Sequence, residues 1–113
     1  MTSNRRWSGW REFPNPTRCE LLVAPFGPGC YELRHTKGKL ILFGSGCNVA
    51  SRMSSLLPEP YGCGVRHNEE KREYIWKNIA AVEYRTLACA TCEEARQQEK
   101  ELKANRTAYI FPT

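Results

Sequence analysis

The sequence predicts an α/β domain, a small layered unit with a short, mainly antiparallel three-stranded central sheet flanked by helices. Three observations predict it. First, Cys30 to His35 alternates, with Tyr31 and Leu33 on one side and Glu32 and Arg34 on the other; the Gly-bearing turn Thr36-Lys37-Gly38-Lys39 and the apolar run Leu40 to Phe43 follow. This is a hairpin pattern whose second strand is buried. Second, Ala80 to Ala88 alternates again through Val82, Tyr84 and Thr86. Third, apolar residues return at helical spacing between and after these strands. The 113 residues are enough for one domain with a core of its own.

Residues 1–26 read as a basic and aromatic N-terminal arm, and residues 27–113 as the domain. Pro14, Pro16 and Pro25 break regular structure in the arm. Arg5, Arg6, Arg11 and Arg18 face a single acid, Glu12, before residue 19, and Trp7, Trp10 and Phe13 interleave with them. Arginines with aromatics suit nucleic acid, through phosphate pairing and base stacking. Equally, the rings can pin the arm onto the core.

Asn48 is placed to cap a helix from Val49 to Leu57, whose apolar stripe is Val49, Met53, Leu56 and Leu57. Arg52 falls within that stripe. Pro58 and Pro60 end the helix, and the loop Tyr61 to Asn68 carries Arg66 and His67, of which His67 reads first as a solvated residue. A second helix runs from Glu69 to Ile79. Thr91 and Glu94 form a capping box that opens a third helix ending near Ala104. Its inward stripe is Ala95, Gln98, Glu99 and Leu102. Tyr109-Ile110-Phe111 reads as a last short strand.

Composition narrows the chemistry. All 12 acidic residues are Glu, which excludes Asp-based two-metal centres, EF-hand loops and a strict Ser-His-Asp triad. The formal charge of +5 favours a polyanionic partner, nucleic acid before membrane. No apolar run approaches a membrane span, and the polar start has no secretory pattern, so the expected location is intracellular, in cytoplasm or nucleus. In that compartment the 6 cysteines are expected as reduced thiols. Cys89-Ala-Thr-Cys92 lacks the second pair of ligands a structural zinc site uses. It reads as two half-buried thiols near a strand-to-helix turn, with a zinc or redox role as the competing possibility.

Arg52 and Glu99 carry the functional reading. Each is a charge on the apolar face of its own helix, where burial without a partner is costly. Either they pair in the interior, where an ion pair adds little, or both line a cleft. In a cleft, an Arg can clamp a phosphate bidentately, and a lone Glu can hold a divalent cation whose other ligands are water and phosphate.

These residues resemble a known family. Gly29-Cys30-Tyr31, then Leu42-Phe43-Gly44 after a short hairpin, is similar to the GIY-YIG nuclease pattern. Asn48 and Arg52 fall where that family has an Asn and a helical Arg, Val82 to Leu87 resembles its third strand, and Glu94-Ala95 followed by Glu99 resembles its metal-binding helix. The resemblance spans residues 27–111. It implies a metal-dependent endonuclease that hydrolyses DNA phosphodiester bonds with one Mg or Mn ion. Arg52 would bind the scissile phosphate, Glu99 the metal, and Tyr31 would lie beside the attacking water. An ordinary phenol titrates near ~10, so Tyr31 needs cations nearby to act as a base. The expected nucleic-acid contacts are Arg5, Arg6, Arg11, Asn48, Arg66 and His67. The chain departs from the pattern at Cys30 for Ile or Val, Leu42 for Tyr, Ser45 for a basic donor, and Ile110 for Asn. The lost Tyr and Asn favour an alternative, a non-catalytic nucleic-acid-binding module of the same fold. Specificity is expected from a homodimer or a protein partner, because no recognition module accompanies the domain.

Overall fold

The computed structural model describes residues 7–57 and 69–111. Four antiparallel strands form one sheet in the order β1-β4-β2-β3: β1 (Arg11–Glu12), β2 (Gly29–His35), β3 (Leu40–Gly46) and β4 (Val82–Ala88). The helices are α1 (Val49–Ser54), α2 (Glu69–Lys77) and α3 (Cys92–Lys103). The expected three-stranded sheet is therefore corrected to four strands. The extra strand is only two residues long, too short to show as an alternation, and it comes from the N-terminal segment.

The β2–β3 hairpin closes at Gly38, whose φ of +97° is open to glycine at no steric cost. Gly38 N–H donates to His35 C=O at 2.7 Å and His35 N–H to Lys39 C=O at 2.8 Å. Asn48 Oδ1 accepts from Ser51 N–H at 3.1 Å, starting α1, and Thr91 Oγ1 accepts from Glu94 N–H at 3.1 Å, starting α3. Both caps satisfy first-turn donors that a helix leaves unpaired.

The core gathers Tyr31, Leu33, Ile41, Leu42, Val49, Met53, Leu56, Ile75, Val82 and Tyr84, together with Phe13 from the N-terminal segment. Phe13 packs edge-on to Tyr84, with ring centroids 5.8 Å apart. Trp7 and Trp10 lie against guanidinium groups of the sheet: Arg85 is 4.5 Å from the Trp7 ring and 4.7 Å from Trp10, and Arg34 is 4.0 Å from Trp10. The described part of the arm is thus built onto the domain, as the pinning alternative has it.

Both faces of β2 are covered. Glu32, on the side that alternation marks as polar, is 3% exposed. It accepts from Arg85 Nη2 at 2.6 Å and Nε at 2.7 Å, and from the Tyr109 hydroxyl. Burial first, then the hydrogen bond and charge of Glu32, push the Tyr109 hydroxyl far above the ordinary phenol range, against a smaller opposing effect of Arg85. Residues 109–111 form bends rather than the expected strand. Ile110 and Phe111 N–H groups nonetheless donate to Leu40 and Ile41 C=O at 3.2 and 2.8 Å.

The cysteines depart from expectation. Cys47 and Cys92 form a disulfide with their Cα atoms 5.1 Å apart, so the thiol of Cys92 pairs across the fold rather than staying reduced beside Cys89. No helix among the described residues is long and apolar enough to cross a membrane.

Candidate functional site

The register of the hairpin builds the site. Tyr31 sits opposite Gly44 on β3 and Thr86 on β4, and Gly29 sits opposite Gly46. Side chains alternate across a strand, so Gly29, Tyr31, Gly44 and Gly46 share one face. A methyl group on Gly29 would meet Val49 Cγ2 at 2.9 Å, and one on Gly46 would meet Arg52 Cγ at 2.6 Å and Nε at 2.8 Å. Hence α1 lies over this face and the Arg52 stem runs across Gly46. A methyl group on Gly44 would meet Tyr31 Oη at 2.4 Å, so the phenol ring covers the neighbouring position of the same face.

The other face carries α3. Cys30 is fully buried there, and its thiol donates to Ala95 C=O at 3.3 Å. With α1 on one face and α3 on the other, an open cleft of about 240 Å³ remains where β3 ends. It is lined by Ser45, Gly46 and Cys47, by Arg52 of α1, and by Cys92, Ala95, Arg96 and Glu99 of α3.

The structure therefore brings Arg52 and Glu99 to one cleft, each half-buried. Neither belongs to the ion pairs that join two described residues, Arg34–Glu83 at 3.0 Å and Arg85–Glu32 at 2.6 Å. Tyr31 is 8% exposed and does not line the cleft. Asn48 directly follows the cleft residue Cys47, and its side-chain carbonyl is engaged in capping α1. Arg11 is on β1, at the sheet edge opposite β3, away from Arg52 and Glu99. Arg5, Arg6, Arg66 and His67 lie outside the described residues.

Cys47, Cys92 and Arg96 were not legible as site residues from motifs, and Ser45 showed there only as the replacement of a basic donor. Helical spacing held the signal for Arg96, because Cys92, Arg96 and Glu99 recur at i, i+4 and i+7 and so share a stripe beside Ala95. With two guanidinium groups and one carboxylate, the cleft is net positive and suits an anion. As a metal site it offers one carboxylate and one hydroxyl, Ser45. Among the described residues no group of three His, Cys, Asp or Glu converges on a metal position. That donor set does not fit a zinc or calcium cage. It fits a hard cation such as Mg²⁺ that keeps most of its water and takes further oxygens from a phosphate.

Compared with protein-family models, with curated proteins and with solved structures, the chain matches none of them.

Proposed function

We propose that this chain is a diverged GIY-YIG-like endonuclease that hydrolyses DNA phosphodiester bonds with one Mg or Mn ion. The observation that carries the reading is the meeting of Arg52 and Glu99, from different helices, in one open and net positive cleft. Two charges on apolar stripes have a reason to be there if both serve a ligand, and a cation-bridged phosphate satisfies both signs at once.

In this reading the Arg52 guanidinium clamps the scissile phosphate and offsets charge that develops on its oxygens. Arg96 adds a second cation on the α3 side and orients the backbone of the strand. Glu99 holds the cation, which when bound supplies Lewis-acid polarisation of the phosphate. Tyr31, which the resemblance sets beside the attacking water, stands outside the cleft lining, so the reading rests on Arg52, Arg96 and Glu99. One such site cuts one strand, so a double-strand break needs two copies.

Incubation with single-stranded, duplex and branched DNA, with Mg²⁺ or Mn²⁺ and with chelator, tests the proposal. Metal-dependent nicking should disappear in Glu99→Ala and in Arg52→Ala, with melting temperatures unchanged. One observation favours the non-catalytic binding module instead: Tyr31 is almost fully buried, and Leu42, at the lost Tyr position, is 1% exposed within the core. Binding without cutting under any divalent metal would select that reading.

A further inference from the structure

Three cysteines cluster around the β3–α3 end of the cleft, and the nuclease reading uses none of them. Cys47 and Cys92 are bridged, and both line the cleft. Cys47 is exposed and Cys92 half-buried. Cys89 is an unbridged, half-buried thiol three residues before Cys92. Between them lie only Ala90 and the Thr91 cap of α3. Cys30 differs, being buried with its thiol turned to Ala95.

The bridge sits where it has most leverage on the site. It ties the first residue of α3 to the residue before the Asn48 cap of α1. Those two helices carry Glu99 and Arg52. Of α3, only Ala95 is fully buried, and its other inward residues are partly exposed, so the bridge adds a covalent hold to a helix whose packing against the sheet is open to solvent. An exposed cystine is open to attack by thiolates, and a Cys-x-x-Cys spacing supplies one on the same segment.

We propose that Cys47, Cys92 and Cys89 form a thiol–disulfide exchange unit that clamps the cleft when Cys47–Cys92 is closed and releases α3 when that bridge opens. As regulation of the Arg52–Glu99 cleft, this rests on the nuclease reading. In the first step Cys89 loses its proton to solvent and its thiolate attacks Cys92 Sγ. The Cys89–Cys92 bond forms, the Cys47–Cys92 bond breaks, and Cys47 leaves as a thiolate that takes up a proton. One disulfide replaces another, so no oxidant is consumed. A low-molecular-weight thiol then attacks the Cys89–Cys92 bridge, and a second one resolves the mixed disulfide. Two thiols are oxidised to a disulfide while the protein pair is reduced to two thiols. In both products Cys47 is unbridged and the clamp is open.

The test uses the full chain in glutathione buffers of graded potential, with acid quench, disulfide mapping and hydrogen exchange. The intermediate Cys89–Cys92 should keep a constant ratio to Cys47–Cys92 in every buffer, because the two bridges are isomers of one oxidation state, and both should disappear as the buffer becomes reducing. As they do, amides of α3 should exchange at least about tenfold faster while those of β2 and β4 hold. Cys89→Ser should lose the intermediate, and Cys47→Ser should form Cys89–Cys92 with fast α3 exchange in every oxidising buffer. Equal α3 exchange in oxidised and reduced wild type overturns the clamp, and no Cys89–Cys92 bridge in either wild type or Cys47→Ser overturns the exchange. These readouts need no DNA. A working clamp on a protein that neither binds nor cuts DNA would sink the nuclease reading alone.

Discussion

Gly44 and Gly46 occupy neighbouring positions on one face of β3, yet they lie under side chains with different freedom to move. The ring over Gly44 belongs to buried Tyr31, whereas the side chain over Gly46 is the half-exposed stem of Arg52. Gly44→Ala therefore drives a methyl group into a packed ring and should cost about 1–3 kcal/mol in urea denaturation. Gly46→Ala should cost about 0.5 kcal/mol or less, because Arg52 can swing away. It should nevertheless lower cleavage by about tenfold or more, because the guanidinium is no longer held over the phosphate. Tyr109 gives a pH signature. Its hydroxyl is raised above the ordinary value of 10.0 in the fold, so the folded state keeps its proton longer than the unfolded chain. Stability from this group is fully present below pH 10 and falls as pH climbs above it. Tyr109→Phe should flatten that alkaline decline in denaturation series run from pH 8 upward. At this scale the sequence revealed Arg52 and Glu99, because a charge interrupting an apolar stripe is visible in one dimension. Glu32 was hidden, since its burial depends on Tyr109 and Arg85, which are distant along the chain.

Elements with their own local signals begin where they were read: the hairpin from alternation around a glycine turn, and α1 and α3 from the Asn48 and Thr91 caps, although α1 stops at Ser54 rather than Leu57. Strand β1 had no such signal. It exists because Arg11 and Glu12 find Tyr84 and Glu83 across a sheet edge, and because Phe13 then enters the core. Phe13→Ala should cost about 3–5 kcal/mol, far more than loss of a nucleic-acid arm would cost in stability. Trp10→Ala should cost about 1–2 kcal/mol from its two guanidinium contacts. The disulfide was equally unreadable, since six cysteines allow about 15 pairings that spacing alone does not rank. Its 45-residue separation corresponds to about 4 kcal/mol of unfolded-chain entropy on the loop-closure account. Cys47→Ser should lower stability by up to about that amount in calorimetry.

Among the described residues the cleft has arginines of its own, set apart from the far edge of the sheet. Arg52 and Arg96 line it at the β3 edge, while Arg11 lies at the β1 edge on the other side of the sheet. DNA affinity should fall steeply with salt, as it does whenever cations displace counterions from phosphates. Arg96→Ala should weaken binding more than Arg11→Ala in fluorescence anisotropy at fixed ionic strength.

The central claim is that one wet cleft, shared by a guanidinium and a carboxylate from different helices, takes a cation together with a phosphate. Paramagnetic Mn²⁺ added to the ¹⁵N-labelled protein with a short DNA duplex reads this directly. Line broadening should centre on the end of β3 and on α3 around Glu99, and Glu99→Gln should abolish it while the rest of the spectrum is unchanged. Broadening centred elsewhere, or broadening at the cleft that survives Glu99→Gln, would contradict the account.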